Sequence, residues 1–590
     1  MKLRLPPKLG LARLSLLAIV VGIITGFGAV IFRALIGLIH NVAFLGSFSF
    51  DYDSSAFTPP SPWGAFIIVV PVIGGLIVTF LITKFAPEAR GHGVPEVMDA
   101  IYYKDGMIRP VVAVIKSLAS ALSIGTGAAV GREGPIIQIG SAIGSTLGQV
   151  VHMAPWQRIT LVAAGAGAGI AATFNTPIGG VMFAIELMMP ELSARTFLPV
   201  ALATGAATFI GRIFFGIYPA FAIPNALLGS QAPASLAALL LYALLGALIG
   251  LAAAAFIRGL SFAEDIFERI KNPYLRNIVG MLMIGVLIYA LFRGAGHYYV
   301  EGVGYATIQA ILNGDLSLPA LLVLLFAAKL VATSVSLGSG ASGGIFSPSL
   351  FMGAAIGGAF GLVVNAVHPM EGFGVTTCAI IGMAAMVGGG TGAAMTAVTM
   401  IFEMTRDYDL VMPSIIAVAL AIGIRRVLSA ENIYTVKLVG RGHFVPKALY
   451  ANMFLVRRAR DIMQKEVTIL PADADFDAFL RQHGSEGGFR HIVVTRGNHI
   501  AGVVRVNTGL RRGLEQAFGG VRLGDVAQRN FTIAREDDIM FDVVHRMSRR
   551  DAAMAVVVKD KSRGRPADVV GVVSKEDVAD SVAESIKPFG

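Results

Sequence analysis

The chain has 590 residues, of which 55% are hydrophobic and 15% charged, with 69 glycines, one cysteine and a formal charge of +10. Charged residues supply about a quarter of a typical soluble protein, so this composition excludes a soluble globular fold and points to a polytopic membrane protein. The lone cysteine, Cys378, excludes an internal disulfide framework and a cysteine-based zinc site, and reads as a small buried apolar residue.

A basic stretch, residues 1–13 with Lys2, Arg4, Lys8 and Arg13, opens the chain. The run Leu11 to Ile39 overlaps it and is long enough to cross a hydrocarbon core, which needs roughly 20 helical residues. It lacks a small-residue cleavage site and leads into further spans, so it reads as a membrane helix and not a signal peptide. Residues 14–435 form the transmembrane domain, with Ser235 to Ile257 as another full-length run. Many of its apolar pieces are broken by glycine and proline: "GHGVPEVMDA" from Gly91, "GREGPIIQIG" from Gly131, "FNTPIGGVMF" from Phe174 and "GSGASGGIFSPSLFMG" from Gly338. Proline suits a first helical turn, where its missing N–H has no partner to lose. Irregular backbone at membrane depth is tolerated where it lines a cavity or is buried in protein. Helix N-termini aimed inward then present free N–H groups and the positive end of the dipole, an anion site built from partial charges. Several such ends converging are expected of a transporter for a small anion.

Glu133 lies in the second of these breaks, beside Arg132 and two residues before Pro135. A charge near the bilayer centre costs about 2.5–3.5 kcal/mol on insertion scales, which marks it as functional. As an anion itself, the carboxylate can occupy the site meant for the permeant ion and leave when protonated or displaced. Arg132 is expected to tie down neighbouring backbone or carboxylates. Glu186 and Glu403 are scattered from Glu133 in sequence and are expected to satisfy nearby backbone N–H groups.

A basic linker, residues 436–458 with Lys437, Arg441, Lys447, Arg457 and Arg458, follows the last span. Basic residues at both flanks place both termini in the cytoplasm by the positive-inside rule. From about Ala459 the text changes to short β-branched runs and charged helical stretches, and "DIMQKEVTIL" resembles "DVAQRNFTIA" further on. A repeat of about 64 residues means two copies of one supersecondary unit sharing a core, here residues 459–520 and 521–590. The expected architecture is an all-α polytopic membrane domain with many broken, tilted helices, followed by a cytoplasmic α/β module.

These motifs resemble the CLC family of chloride channels and proton-coupled chloride exchangers, over roughly Leu14 to Tyr434. "GHGVP" stands for the family's GSGIP, "GREGP" is intact, "GGIFSP" stands for GxFxP, and "FEMTRDYDLVMP" and Tyr434 in "ENIYTVKL" complete the set. The tail resembles a tandem pair of CBS domains. The resemblance implies two halves of inverted topology, a homodimer with one anion pathway per subunit, and a bilayer of the prokaryotic plasma-membrane type. It implies Glu133 as the gate and an anion site made by His92, Gly93, Arg132, Gly134, the amides of Ile345 and Phe346, and the Tyr434 hydroxyl. No cofactor is required, and an adenine nucleotide at the CBS pair is a candidate ligand through Ser574 and Asp577 of "GVVSKED". The matching positions of the first copy, Arg505 and Thr508, depart from that pattern.

Two departures bear on function. His92 stands where chloride-selective members carry serine and nitrate-selective members proline, so chloride, nitrate and other halides stay open. Its ring either contacts the ion, making transport pH-sensitive, or turns aside into a backbone hydrogen bond. Leu187, in "FAIELMMPE", occupies the position of the exchangers' cytoplasmic proton-carrying glutamate and cannot titrate. The expectation drawn from it is channel-like or weakly proton-coupled flux, with a proton/chloride antiporter as the alternative. Rivals of other classes are an intramembrane serine protease, from Ser342 in "GASG", and a CBS-linked cation channel, which wants clustered carboxylates. No aromatic-basic interleaving points to nucleic acid, and no metal site is expected.

Overall fold

The computed structural model describes residues 9–217, 221, 235–368, 373–445, 456–475, 491–505, 522–559 and 565–586. Lys2, Arg4, Lys8, Lys447 and Thr508 lie outside the described residues. The chain divides into two units, Met1–Val445 and Pro446–Gly590.

In the first unit the helices run α1 (Leu11–His40), α2 (Val70–Phe85), α3 (Val94–Tyr103), α4 (Val111–Gly125), α5 (Glu133–Val150), α6 (Pro155–Phe174), α7 (Pro177–Phe183) and α8 (Ala194–Phe215). They continue as α9 (Leu236–Glu268), α10 (Pro273–Ala295), α11 (Tyr305–Asn313), α12 (Pro319–Ser339), α13 (Phe346–Val367), α14 (Val375–Thr391), α15 (Ala394–Thr405), α16 (Val411–Leu428) and α17 (Thr435–Gly440). Among the described residues, eight helical segments are long and apolar enough to cross a membrane, and the protein is an integral membrane protein. Others are too short: α3, at 10 residues, spans only about half of a roughly 30 Å hydrocarbon core. Pro95, Pro135, Pro177 and Pro348 all fall within the first turns of α3, α5, α7 and α13. Each proline thus opens a helix rather than kinking one.

Small residues decide how these helices pack. A methyl group on Gly140 of α5 would lie 2.2 Å from the Gly165 carbonyl oxygen of α6, and one on Gly144 would lie 2.1 Å from that of Leu161. The later half repeats the device, with Gly353 of α13 against Gly382 O at 2.3 Å and Gly357 against Cys378 O at 2.1 Å. Backbone contact of this kind supplies dispersion where lipid leaves no hydrophobic drive.

The two halves also exchange contacts. Glu186 accepts from the Met395 and Thr396 amides at the start of α15, at 2.8 and 2.7 Å. Glu403, on α15, accepts from the Ile178 and Gly179 amides at the start of α7, at 3.0 and 2.7 Å. The buried Lys116 of α4 donates to Ala89 O and Gly91 O, as the buried Lys329 of α12 does to Val300 O and Gly302 O. Reciprocal contacts mark a two-fold relation between halves. Both glutamates satisfy backbone N–H groups, the role expected from their isolation.

In the second unit, β1 (Val467–Pro471) pairs parallel with β2 (His491–Arg496), which pairs antiparallel with β3 (His499–Arg505). The order and senses recur in β4 (Phe531–Arg535), β5 (Met554–Val558) and β6 (Val569–Ser574). Val493 and Val503 pack with Met554, Val556 and Val572 in one core drawn from both sheets. The sequence repeat is therefore a structural repeat, and the two copies fold onto each other.

Candidate functional site

Three helix starts meet inside the first unit. Gly131 and Gly344 form an antiparallel bridge, with N–H···O distances of 2.7 and 2.5 Å, joining the entries to α5 and α13. Gly91 bridges to Ser342, and the Gly343 amide donates to Gly91 O at 3.3 Å, adding the entry to α3. The glycines permit this approach. A methyl group on Gly134 would lie 2.2 Å from His92 O, and Gly93 holds φ at +83° with Gly134 O and Gln138 Oε1 each 3.0 Å from where its Cβ would be. The positive ends of three helices are thereby held together in a buried region where water cannot screen them.

Glu133, wholly buried, is the first residue of α5, yet its carboxylate caps α13. One oxygen accepts from the Ser347 amide at 3.2 Å and the Ser347 hydroxyl at 2.5 Å. The other accepts from the Tyr305 hydroxyl at the start of α11. A carboxylate therefore sits on an inward-facing helix end, among donors that would equally hold a small anion. Its amide donor comes from Ser347, one residue beyond the Ile345 and Phe346 amides expected from the resemblance; those two residues are buried at the same helix start.

Arg132 does not pair with this carboxylate. Its guanidinium lies 5.0 Å above the Tyr305 ring, its buried Nε has no partner, and it joins Arg33 in lining a cavity with Ser54, Ser55 and Asn175. Phe174 also lines that cavity and is packed against Phe346. Arg132 was expected to tie down neighbouring backbone or carboxylates; the neighbouring carboxylate, Glu133, is held by Ser347 and Tyr305 instead, and the guanidinium faces the cavity.

On the other flank, Tyr434 is 1% exposed and its ring centroid lies 6.0 Å from that of His92. Asn432 Oδ1 holds the turn by accepting from the Tyr434 and Thr435 amides at 2.9 and 2.8 Å. His92 is 2% exposed and its Nδ1 makes no hydrogen bond, so the ring has not turned aside into the backbone through that atom. A cavity of about 520 Å³ opens below, lined by Arg90, Glu96, Glu264, Asp265, Lys437 and Arg441 among others. Residues 436–445, read in the sequence as the start of a linker, belong to the first unit: Val436, Lys437, Gly440 and Arg441 line this cavity, Arg441 holds Glu96 at 2.6 Å, and His443 holds Asp99 at 2.5 Å.

The site thus gathers His92, Gly93, Arg132, Glu133, Gly134, Ile345, Phe346 and Tyr434. Leu187 lies apart, in a single π-helical turn, Ala184–Met188, that packs against α3 and α6. Tyr305 is a site residue that the motifs did not single out. Its signal was available, since Gly302-Val-Gly304 before α11 repeats the Gly91-His-Gly93 spacing before α3. The Ser342 hydroxyl is occupied by Ala89 O and Ser120, both at 2.9 Å, which is packing and not a nucleophile's arrangement. In the tail, Ser574 Oγ and Asp577 Oδ2 bond each other at 2.7 Å, and Gln464 donates to Asp577 Oδ1 at 2.9 Å.

A sequence profile described as voltage gated chloride channel matches residues 74–426, and a CBS domain profile matches residues 523–584. The H(+)/Cl(-) exchange transporter ClcA of Salmonella agona is 32% identical over 428 residues, covering 71% of this chain and 86% of the relative. The crystal structure of a slow cyanobacterial Cl-/H+ antiporter superposes with a TM-score of 0.64 at 26% identity, covering 74% of this chain and 99% of that one. A eukaryotic CLC transporter shares the fold, tail included, with a TM-score of 0.60 at 21% identity over 96% of this chain and 98% of that one. Buried helix ends closed by one carboxylate, a profile spanning most of the membrane unit and this identity to ClcA together make the chain a member of the CLC family of chloride transport proteins, carrying a CBS tail.

Proposed function

We propose that the protein exchanges chloride for protons, with Glu133 as the group both ions share. The observation that carries this is the Glu133 carboxylate seated on the start of α13. Ionised, it fills an anion's place. Protonated, it loses the charge that its donors favour and yields the seat to chloride, so each proton bound frees one position for the counter-ion. The relatives support exchange, since both ClcA and the cyanobacterial protein are described as exchangers. The expectation of channel-like flux, which rested on Leu187, gives way to the antiporter alternative for that reason.

His92, Gly93, Gly134, the Ile345 and Phe346 amides and the Tyr434 hydroxyl are proposed to wall the anion path, with Arg132 attracting the anion at the opposite mouth. Two copies are proposed to form the functional unit in a plasma-type membrane, with the cavity beside Lys437 and the tail on the cytoplasmic side. An adenine nucleotide is proposed for the second CBS copy. It would have to part Asp577 from Ser574, so Asp577→Ala should abolish any thermal shift produced by ATP.

The test of exchange is a proteoliposome assay. A chloride gradient imposed on the purified protein should drive protons uphill in the opposite sense. Chloride flux with no accompanying proton movement would overturn exchange.

A further inference from the structure

If exchange is the function, a proton must reach Glu133 from the face bearing the cavity beside Lys437, and few groups are free to carry it. Glu186 and Glu403 each hold two backbone amides of the opposite half. Lys116 and Lys329 each hold two carbonyls. Leu187 has nothing to titrate. His92 differs: it is 2% exposed, yet its Nδ1 has no partner. Burying such an atom without a hydrogen bond costs on the order of 1–3 kcal/mol, a cost more readily explained by use than by packing.

Its backbone runs between the cavity wall and the loop that carries the gate. Lys437, in the cavity wall, brings Nζ to 3.1 Å from where a Gly91 Cβ would lie. His92 follows Gly91 in the chain, and its carbonyl presses on Gly134, next to Glu133. Glu96, four residues along on α3, lines the same cavity. Gln138 of α5 adds a second buried polar atom without a partner, Oε1, over Gly93. The histidine therefore lies between Gly91, which Lys437 of the cavity wall approaches, and the start of α5, with Tyr434 beside it.

We propose that His92 is the proton relay between the inner cavity and Glu133, in a chain whose Leu187 cannot serve. A neutral ring nitrogen takes a proton from water in the cavity, forming imidazolium. The imidazolium then gives a proton to a Glu133 carboxylate oxygen and the ring returns to neutral, so one proton passes and no charge stays on the histidine. The groups acting on the ring are Lys437 and Arg441 from the C-terminal wall, Lys116 from α4, and Tyr434. Burial above all disfavours a proton on the ring, the positive charges of Lys437, Lys116 and Arg441 add to it while the path is empty, and chloride in the path offsets those charges. Loading of the relay is thus tied to the presence of the anion, which is the coupling an exchanger needs.

The inference rests on proton-coupled exchange, and one experiment separates the two. Full-length wild type, His92→Ser and His92→Gln are compared in proteoliposomes by protons moved per chloride under an imposed chloride gradient. A relay predicts that this ratio falls at least about tenfold in both variants, since a positioned acid–base group commonly contributes 10²-fold or more, while chloride still crosses measurably. Glutamine keeps the side chain's bulk and an N–H but cannot titrate, which separates proton carriage from packing. A variant ratio equal to wild type overturns the relay and leaves exchange standing. Loss of chloride flux in both variants overturns it too, assigning His92 to holding the anion or the fold. Wild type that moves chloride without protons defeats exchange itself.

Discussion

At the scale of single residues, the central fact is a carboxylate held by an amide and two hydroxyls. Hydrogen bonds to a charged group are worth about 1.5–3 kcal/mol each, so Tyr305 and Ser347 set how firmly the gate is shut. Tyr305→Phe and Ser347→Ala each remove one donor from the ionised form. Each should raise the rate of chloride flux at neutral pH by roughly tenfold where gate opening limits turnover, since about 1.4 kcal/mol is a factor of ten. Stopped-flow chloride efflux checks this, and an unchanged rate in both variants would mean that opening is not limiting. Glu133→Gln removes the titration altogether: chloride flux should persist, lose its pH dependence and carry no protons. Glu133 was legible in the sequence because a glutamate framed by glycines and a proline has little structural purpose in lipid. Tyr305 was flagged only by the repeated Gly-x-Gly spacing before it, and its role stayed hidden because a tyrosine in "GVGYA" reads as any other buried aromatic until the fold brings it to a carboxylate 172 positions away in the chain. That Arg132 leaves the Glu133 carboxylate to other partners was hidden for a related reason. Adjacency in sequence does not tell which of two neighbours faces the helix end and which faces the cavity.

At the scale of elements, the short helices are positioned by what caps them. Glu186 and Glu403 each neutralise the exposed amides of a helix in the other half, so the halves are locked by charge–dipole contacts as well as by glycine packing. That these glutamates serve backbone amides could be inferred from their isolation; that they do so crosswise required the fold. The packing itself yields a sharp contrast. Gly140→Ala would put a methyl carbon 2.2 Å from a carbonyl oxygen of α6, whereas Gly28→Ala would meet only Ile139 and Ile143 side chains at 3.8 and 4.0 Å. The first contact is far inside van der Waals distance and its partner is backbone, so α5 and α6 must separate. Gly140→Ala should lower the thermal midpoint in detergent by several degrees or prevent folding, and Gly28→Ala should leave it within about a degree. Equal effects would show that glycine contact does not hold this helix pair.

At the scale of the whole molecule, two bodies of different chemistry share one chain, and the change of composition near residue 459 made both visible beforehand. The doubled motif of the tail likewise foretold two copies with one strand order, because a repeat in sequence at this spacing leaves few other topologies. What the text could not show is how the copies are fastened. Arg505, the residue departing from the nucleotide pattern in the first copy, pairs with Glu576 of the second. Arg505 holds the Glu576 carboxyl below its ordinary range, chiefly through this hydrogen bond. The sign of the linkage follows. A depressed carboxyl contributes stability above its unfolded pKa and loses it as pH falls through the folded one, so the fastening acts at neutral pH and fades below about pH 4. Because the pair is solvent-exposed, added salt should weaken it as well. Glu576→Gln should therefore bring the tail's unfolding midpoint toward wild type as the pH is lowered from 7 to 3, the two curves converging in acid and lying furthest apart at neutral pH and low salt. A constant offset across that range would mean that the glutamate stabilises the tail by its bulk rather than by its charge.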